Sequence, residues 1–85
     1  AALALIGFVI VHIVKYRVAI VNRNVPNMLG QISTCMADAG LNILDMLNKS
    51  RGDLAYTLVD LDAALSPQYQ ERIAAIDGVL DVRAL

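Results

Sequence analysis

The sequence predicts an α+β fold in the order βαββαβ, in which one antiparallel sheet carries both helices on a single face. Two observations predict this fold. Short apolar runs rich in β-branched residues alternate with two segments whose apolar residues recur at helical spacing. Two of the strand-like runs follow each other across a tight turn, which makes them antiparallel neighbours. This order is the split βαβ arrangement of ferredoxin-like domains.

The first strand and the polar loop after it occupy residues 18–27. Residues 18–21 form a short β-branched apolar run, which is typical of a strand. Residues 22–27 contain three asparagines and a proline, residue types that form turns. The sequence therefore predicts that the strand ends at Val21 and that a polar loop leads into the first helix.

The first helix is predicted to begin near Leu29 and to end before Gly40. Its apolar stripe at helical spacing comprises Leu29, Ile32, Cys35, Met36 and Ala39. Gly40 stands where a left-handed C-terminal cap belongs. The lone cysteine, Cys35, falls on this stripe and is predicted to be a small core residue rather than a reactive thiol.

Residues 41–48 and 54–61 are predicted to be the second and third strands. Residues 49–53 join them, and Gly52 supplies the backbone freedom that a tight hairpin needs. Both strands carry apolar residues at odd and at even positions, so neither face of the sheet is fully polar. This pattern predicts a second covering surface for the sheet.

The second helix is predicted to begin with Ser66 as its N-cap and Pro67 as its first helical residue. Its buried stripe is predicted to comprise Tyr69, Ile73 and Ile76. Gly78 ends the helix. Residues 79–85 then alternate, which predicts a final half-buried strand with Leu80, Val82 and Ala84 on its inner side.

Residues 1–16 lie outside the βαββαβ pattern. Residues 1–14 are apolar apart from a glycine and a histidine, and they are fewer than the roughly 20 residues that a membrane-spanning helix needs. Residues 8–14 are rich in β-branched residues and are interpreted as an extra N-terminal strand, or as a strand that continues through residues 15–17 into residues 18–21. We therefore predict an apolar extension or linker remnant in residues 1–16, a single domain in residues 17–85, and no membrane span.

The composition indicates the kind of partner. Apolar residues make up 58% of the chain, which is more than an ordinary soluble domain carries. We therefore predict that a homodimer or larger homo-oligomer covers part of the surface. Seven basic and eight acidic residues, without a basic run, argue against a nucleic-acid partner.

The sequence predicts no catalytic residue, no metal site and no cofactor. His12 has no cysteine or second histidine with which to share a metal, and no glycine-rich dinucleotide loop follows a strand. Asp60 and Asp62 are interpreted as solvent-facing carboxylates of one strand. The phosphate-cradling loop of an acylphosphatase is not recognisable in residues 21–29, and Tyr56 alone offers RNA a stacking surface in the central strands. A non-enzymatic module is therefore the favoured interpretation.

Four motifs follow one another in the sequence: NVPNMLGQIS at residues 24–33, ADAGLNI at residues 37–43, DMLNKSRGDLAYTLVDLD at residues 45–62 and IDGVLDVRAL at residues 76–85. Together they resemble the C-terminal ACT domain of D-3-phosphoglycerate dehydrogenases, the regulatory module of the first committed enzyme of serine synthesis. The resemblance covers residues 17–85. It implies a ferredoxin-like ACT fold, a cytoplasmic location, and a chain that is a fragment of an NAD-dependent oxidoreductase whose nicotinamide chemistry lies in other domains.

Four asparagines are the candidate effector-binding residues. Asn22, Asn24 and Asn27 flank the start of the first helix, where free N–H groups and the helix dipole favour a carboxylate, and Asn42 opens the next strand. An asparagine amide both donates and accepts, which suits an amino-acid zwitterion. From the residues alone, turn formation explains loop asparagines at least as well.

The resemblance favours ligand binding, because serine-binding members of the family use polar side chains at the positions of Asn22, Asn24 and Asn42. It therefore implies an amino-acid-binding regulatory domain that takes L-serine or a related amino acid between paired domains. The alternative is a structural dimerisation module of the same enzyme without a ligand.

Overall fold

The computed structural model describes residues 16–85. Its elements follow the predicted order: β1 (Tyr16–Arg23), α1 (Met28–Asp38), β2 (Ile43–Arg51), β3 (Leu54–Leu61), α2 (Pro67–Ala74) and β4 (Val79–Ala84). No helix in this part of the chain has the length and apolar character that crossing a membrane requires. The predicted extra strand in residues 8–14, and all but the last residue of the predicted extension, lie outside the described residues.

The four strands form one antiparallel sheet in the order β2-β3-β1-β4. Alternate residues of the two central strands, β1 and β3, pack against both helices. The buried cluster comprises Val18, Ile20, Met28, Ile32, Met36, Val59, Leu61, Leu65, Ile73 and Val82. Both helices therefore cover the same face of the sheet, and the predicted ferredoxin-like βαββαβ fold is confirmed.

The opposite face of the sheet, which we call the open face, is covered by neither helix. It carries the odd-numbered residues of β1, of β2 from Asp45 onward and of β4 from Asp81 onward, together with the even-numbered residues of β3. Several of these residues are large and apolar, and they are exposed. The sheet thus has a packed face and a half-apolar face.

The strand β1 is longer than the sequence predicted. It continues through Asn22 and Arg23, so the prediction that Asn22 belongs to a polar loop is wrong. Asn22 pairs with Ala55 of β3 on one side and with Val79 of β4 on the other. Because β1 is a central strand, pairing on both edges holds this asparagine in the sheet despite its low strand propensity.

The buried side of helix α1 is not the side that the sequence predicted. Its buried residues are Met28, Ile32 and Met36, which are four residues apart. Leu29 is exposed, so its predicted place in the core is wrong, and Cys35 is half-buried at the edge of the core. The predicted cap is confirmed, because Gly40 has φ 74 and its N–H donates to the carbonyl oxygen of Ala37.

The hairpin between β2 and β3 is tighter than predicted. The boundaries of β3 agree with the sequence, whereas β2 extends to Arg51 and leaves only Gly52 and Asp53 in the turn. Gly52 has φ 63, the left-handed conformation for which a glycine was expected. The longer β2 arises because its pairing with β3 continues to Leu54.

The second helix begins as predicted. The Ser66 hydroxyl accepts a hydrogen bond of 3.3 Å from the backbone N–H of Tyr69, and Pro67 is the first helical residue. The helix ends at Ala74, so Ile76 packs against the core from the following turn. In β4 only Val82 is buried; Leu80 and Ala84 are exposed because β4 is an edge strand with a bulge.

Candidate functional site

A pocket of about 220 Å³ opens where β1 ends and α1 begins. Its lining residues come from these two elements, the loop between them and β2: Asn22, Arg23, Asn24, Val25, Asn27, Met28, Leu29, Gly30 and Asn48. The fold therefore brings together three of the four candidate asparagines. The fourth, Asn42, does not line this pocket.

Asn22 reaches the pocket from the packed face of the sheet and is only 1% exposed. Its side-chain oxygen accepts a hydrogen bond of 3.0 Å from the hydroxyl of Thr57 in β3. Its amide nitrogen donates a bond of 2.9 Å to the carbonyl oxygen of Arg23. The Thr57 hydroxyl in turn accepts a bond of 2.9 Å from the side-chain amide of Asn48 in β2. A row of hydrogen bonds thus joins three neighbouring strands beside the pocket.

Each buried side-chain nitrogen and oxygen in this row has a hydrogen-bond partner, as the burial of polar groups requires. Within residues 16–85, no buried side-chain nitrogen or oxygen lacks a hydrogen-bond partner. Asn48 is exposed and uses only its amide nitrogen in the row, so its side-chain oxygen can accept from a ligand. Asn48 therefore offers a positioned acceptor at the mouth of the pocket.

The start of α1 forms the opposite wall. Its cap residue, Asn27, has φ 64, and its side chain makes no capping hydrogen bond. The N–H groups of the first turn have no partner inside an α-helix, and the first turn contains no acidic residue. The helix start therefore presents donors and a partial positive charge to the pocket.

Gly30 allows the Asn27 amide to lie close to the first turn of the helix. A Cβ atom at position 30 would be 2.5 Å from the Asn27 Oδ1 atom, which is far closer than van der Waals contact. The missing side chain at Gly30 thus leaves room for the Asn27 amide in this position, and a Cβ atom there would displace the amide. Gly30 provides space, whereas Gly40 and Gly52 adopt a left-handed backbone conformation.

Asn24 also holds the chain together. Its amide nitrogen donates a hydrogen bond of 3.2 Å to the carbonyl oxygen of Gly52, and its backbone N–H donates one of 2.8 Å to the carbonyl oxygen of Asp53. These two bonds tie the end of β1 to the hairpin turn. Asn24 therefore has a structural role in addition to its place in the pocket lining.

Asn42 lies at the other end of the sheet. It precedes Ile43, which pairs with Leu61, whereas Asn22 pairs with Ala55. The six residue steps from Ala55 to Leu61 correspond to about 20 Å along the strand. The backbone N–H and side-chain amide of Asn42 donate to the carboxylate of Asp62, at 3.0 and 3.1 Å. Within one copy of the chain, Asn42 and the pocket are therefore separate.

Asp60 does not face solvent as the sequence predicted. It is 5% exposed, and the Arg17 guanidinium donates two hydrogen bonds to its carboxylate, at 2.6 and 3.1 Å. The two residues are direct cross-strand partners on the open face. These hydrogen bonds and the charge of Arg17 lower the pKa of the Asp60 carboxyl from its usual value, and the same contact raises the pKa of Arg17. Asp60 is thus part of the sheet's structure.

The sequence analysis did not identify Asn48 or Thr57 as residues of the site. The available signal was the alternation of β2 and β3, which places both polar residues on the helix-covered side among apolar neighbours such as Met46 and Val59. A polar residue on the packed side of a strand needs a hydrogen-bond partner. That partner, Asn22, is 35 positions away from Thr57 in the sequence.

Comparison with solved structures defines the class: the chain has the ferredoxin-like fold of ACT domains. The crystal structure of the ACT domain from GTP pyrophosphokinase of Chlorobium tepidum is similar, with a TM-score of 0.69 and 15% sequence identity over 82% of this chain and 95% of that chain. The solution structure of that domain gives a TM-score of 0.66 and 15% identity over 82% of this chain and 83% of that chain.

A further similar structure is the solution structure of the C-terminal domain of the MgtC protein from Mycobacterium tuberculosis. Its TM-score is 0.66, with 17% identity over 82% of this chain and 83% of that chain. No family model and no curated protein sequence matches the chain. At these identities the likeness concerns the fold.

Proposed function

We propose that the chain is an amino-acid-binding regulatory domain, and more narrowly the serine-sensing domain of a D-3-phosphoglycerate dehydrogenase in the cytoplasm. One observation carries the proposal. In the pocket, the backbone N–H donors at the start of α1 lie close to the side-chain amides of Asn22, Asn27 and Asn48. The ACT fold supports the broader class, and the motifs in residues 24–85 support the narrower identity.

The pocket suits the chemistry of an amino acid. The first-turn N–H groups of α1 would take the carboxylate, because a helix start favours an anion. The side-chain oxygens of Asn27 and Asn48 would accept from the ammonium group. The volume of about 220 Å³ is below the roughly 300–1,000 Å³ of pockets for drug-sized ligands, which favours a small amino acid such as L-serine.

The proposal includes a homodimer formed through the edge strand β2. An exposed edge of nine residues offers unpaired backbone groups to a second copy. An antiparallel β2–β2 pairing centred on Asp45 would place Asn42 of the partner subunit opposite Asn48. In this arrangement the pocket of one copy and Asn42 of the other belong to a single site, as the family resemblance implies.

A second candidate is a structural dimerisation domain that binds no ligand. It is favoured by the hydrogen bonds that Asn24 and Asn42 already make within the chain, to Gly52 and Asp62. In this alternative the two asparagines stabilise turns and strand ends only. The two candidates share the dimer and differ in whether an amino acid binds.

Titration calorimetry of the full chain against each of the twenty amino acids separates them, with light scattering on the same samples. We expect saturable binding of L-serine or a related small amino acid, together with a dimer. The Asn48→Ala variant should bind at least about tenfold more weakly, since a hydrogen bond to a charged group contributes about 1.5–3 kcal/mol. Ser50→Ala, an exposed position on the same strand outside the pocket, is the matched control.

The other outcomes are equally informative. A dimer that binds none of the amino acids would contradict the sensing function and leave the structural alternative. Binding by a monomer would keep the sensing function and contradict the paired site. Equal loss in both variants would remove Asn48 from the site.

A further inference from the structure

The open face carries a contiguous apolar surface. Val21, Leu47, Leu54 and Tyr56 are between 40% and 48% exposed. Val21 and Tyr56 are direct cross-strand partners, and Leu47 pairs with Leu58 of the same face. Single exposed apolar side chains are ordinary, but neighbouring ones on several strands mark an interaction surface.

Three unpaired cations lie at one corner of this surface. Of the basic residues in positions 16–85, Arg17, Arg72 and Arg83 form ion pairs. The others are Arg23, Lys49 and Arg51, and they make no ion pair within the described part of the chain. All three are exposed on the open face, where Arg23 and Arg51 pair with Leu54 from either side and Lys49 pairs with Tyr56.

The same corner contains a shallow groove of about 360 Å³. Its lining residues, Val21, Lys49, Ser50, Arg51, Leu54, Ala55 and Tyr56, are mainly apolar and include two of the three cations. Of the acidic residues around this corner, Asp53 lies in the adjoining hairpin turn and Asp45 lies at the far end of β2. Asp81 pairs with Val21 across the sheet, and its carboxylate forms an ion pair with Arg83, so the three cations outnumber the free carboxylates. An occupant of the groove therefore meets apolar side chains flanked by positive charge.

We infer that this corner of the open face is a docking surface for an acidic protein segment with apolar side chains on one side. Charge complementarity carries the inference, because acidic side chains next to apolar anchors match the three cations around Leu54 and Tyr56. The surface shares only Arg23 with the lining of the pocket at the start of α1, which opens on the packed side of the sheet. The inference therefore does not depend on the proposed function.

Charge argues against a second copy of the chain as the occupant. A two-fold axis along the strands would place β2 of one copy over β4 of the other, so the three cations would meet Asp81, which already pairs with Arg83 at 3.0 Å. A two-fold axis across the strands would place them against Asp45 and the already paired Asp60. In neither arrangement do the three cations meet as many free carboxylates, so a second copy does not match their charge.

The size of the face indicates what kind of contact it makes. Four strands at about 4.8 Å spacing and four rows of alternate residues at about 6.6 Å spacing cover about 19 by 26 Å, or about 500 Å². A standard stable interface buries about 800 Å² on each partner. The occupant is thus a single segment in a transient contact rather than a permanent subunit.

Fluorescence anisotropy of the full chain with a labelled peptide tests this inference. The probe is an amphipathic peptide of about 16 residues, long enough as a helix to cross the face, with leucine on one side and glutamate on the other. A peptide with lysine in place of glutamate is its control. We expect binding of the acidic peptide only, and marked weakening when the ionic strength rises from about 0.05 to about 0.5 M.

Two charge reversals locate the site. Arg51→Glu should weaken binding of the acidic peptide at least about tenfold, because it removes a cation and adds a like charge beside the groove. Arg72→Glu changes the net charge by the same amount on α2 and should leave the affinity within about twofold. Tyr56→Ser should also weaken binding about tenfold through loss of the apolar anchor.

Four results would overturn the inference. They are equal binding of the acidic and basic peptides, equal loss in the Arg51→Glu and Arg72→Glu variants, no binding of the acidic peptide at low ionic strength, and a dimer that Tyr56→Ser dissociates. The last would identify a second copy as the occupant, because Tyr56 lies on the open face of a central strand and not on the β2 edge. Binding to phosphatidylserine vesicles would also overturn the inference. In that case the chain would co-sediment with the vesicles, Arg51→Glu would abolish the co-sedimentation, and the acidic peptide would not bind.

Discussion

The hydroxyl of Thr57 donates a hydrogen bond of 3.0 Å to the side-chain oxygen of Asn22, and both side chains are buried on the helix-covered face of the sheet. The same hydroxyl accepts from Asn48 at the edge of the sheet. Thr57 is therefore the single link between the buried asparagine and the exposed one. This link gives the edge of the pocket a fixed position, and it makes Thr57 sensitive to substitution.

Thr57→Val should destabilise the domain by about 1–3 kcal/mol, because valine has nearly the same shape but leaves the oxygen of buried Asn22 without its donor. In a domain of this size that corresponds to a fall in Tm of about 4–8 °C for each kcal/mol. Urea unfolding measures the change in the free energy of unfolding. Thr34→Val is the matched control, since its hydroxyl bonds only to the Gly30 carbonyl at an exposed position. Equal effects of the two substitutions would show that the buried row of hydrogen bonds contributes no more to the free energy of unfolding than an exposed hydroxyl does.

Asn27 allows ligand binding to be separated from stability. Its backbone has φ 64, a left-handed conformation that costs most residues about 1–2 kcal/mol and glycine nothing. Asn27→Gly should therefore leave the free energy of unfolding within about 0.5 kcal/mol of wild type, and Asn27→Ala should lower it by about 1 kcal/mol. Both variants lack the amide and should lose amino-acid affinity to a similar degree in titration calorimetry. Wild-type affinity in the glycine variant would exclude Asn27 from the site.

The sequence predicted those features that depend on near neighbours in the chain. Gly40 as a left-handed cap, Gly52 in the hairpin turn and Ser66 as an N-cap each follow from conformational preferences of one or a few residues, and each is confirmed. The order of strands and helices was equally accessible, because it depends on the periodicity of apolar residues.

The features that the sequence missed depend on strand register. Asn22 was predicted to lie in a loop, Asn48 was not predicted to be a site residue, and Asp60 was predicted to face solvent. Asn22 and Asp60 are placed by pairing between strands that are far apart in the sequence, as in the Arg17–Asp60 pair. Asn48 bonds to Thr57 across the hairpin, nine positions away, but Thr57 links it to the buried Asn22, which is 35 positions away from Thr57. Local propensity carries no information about such partners, and tertiary pairing overrides it. The candidate site could therefore be predicted as a region, but not as a hydrogen-bonded arrangement.

The Arg17–Asp60 pair predicts how stability depends on pH. The hydrogen bonds from Arg17 hold the pKa of the Asp60 carboxyl below its usual value in the folded chain. A carboxyl with a lowered folded pKa stabilises the fold fully above its unfolded pKa, about 3.9, and this contribution is lost as the pH falls through the folded pKa. The stability advantage of wild type over Asp60→Asn should therefore be largest near neutral pH and shrink below about pH 4.

Urea unfolding of both proteins across this pH range measures the difference. Asp81→Asn is the control, because Asp81 forms an exposed pair with Arg83, at 3.0 Å, which should contribute little at any pH. An advantage over Asp60→Asn that stays constant from neutral to acidic pH would contradict the assigned role of the pair.

Deleting residues 1–14 should leave a folded domain. The six elements of the βαββαβ pattern and the buried cluster described above lie within residues 16–85. Because β1 is held by pairing with β3 and β4 along its length, its position in the sheet does not require the residues before it. The shortened chain should therefore keep one cooperative thermal transition and the near-neutral-pH advantage over Asp60→Asn. A calorimetric scan without a transition, while the full chain shows one, would mean that residues 1–14 are an integral part of the core.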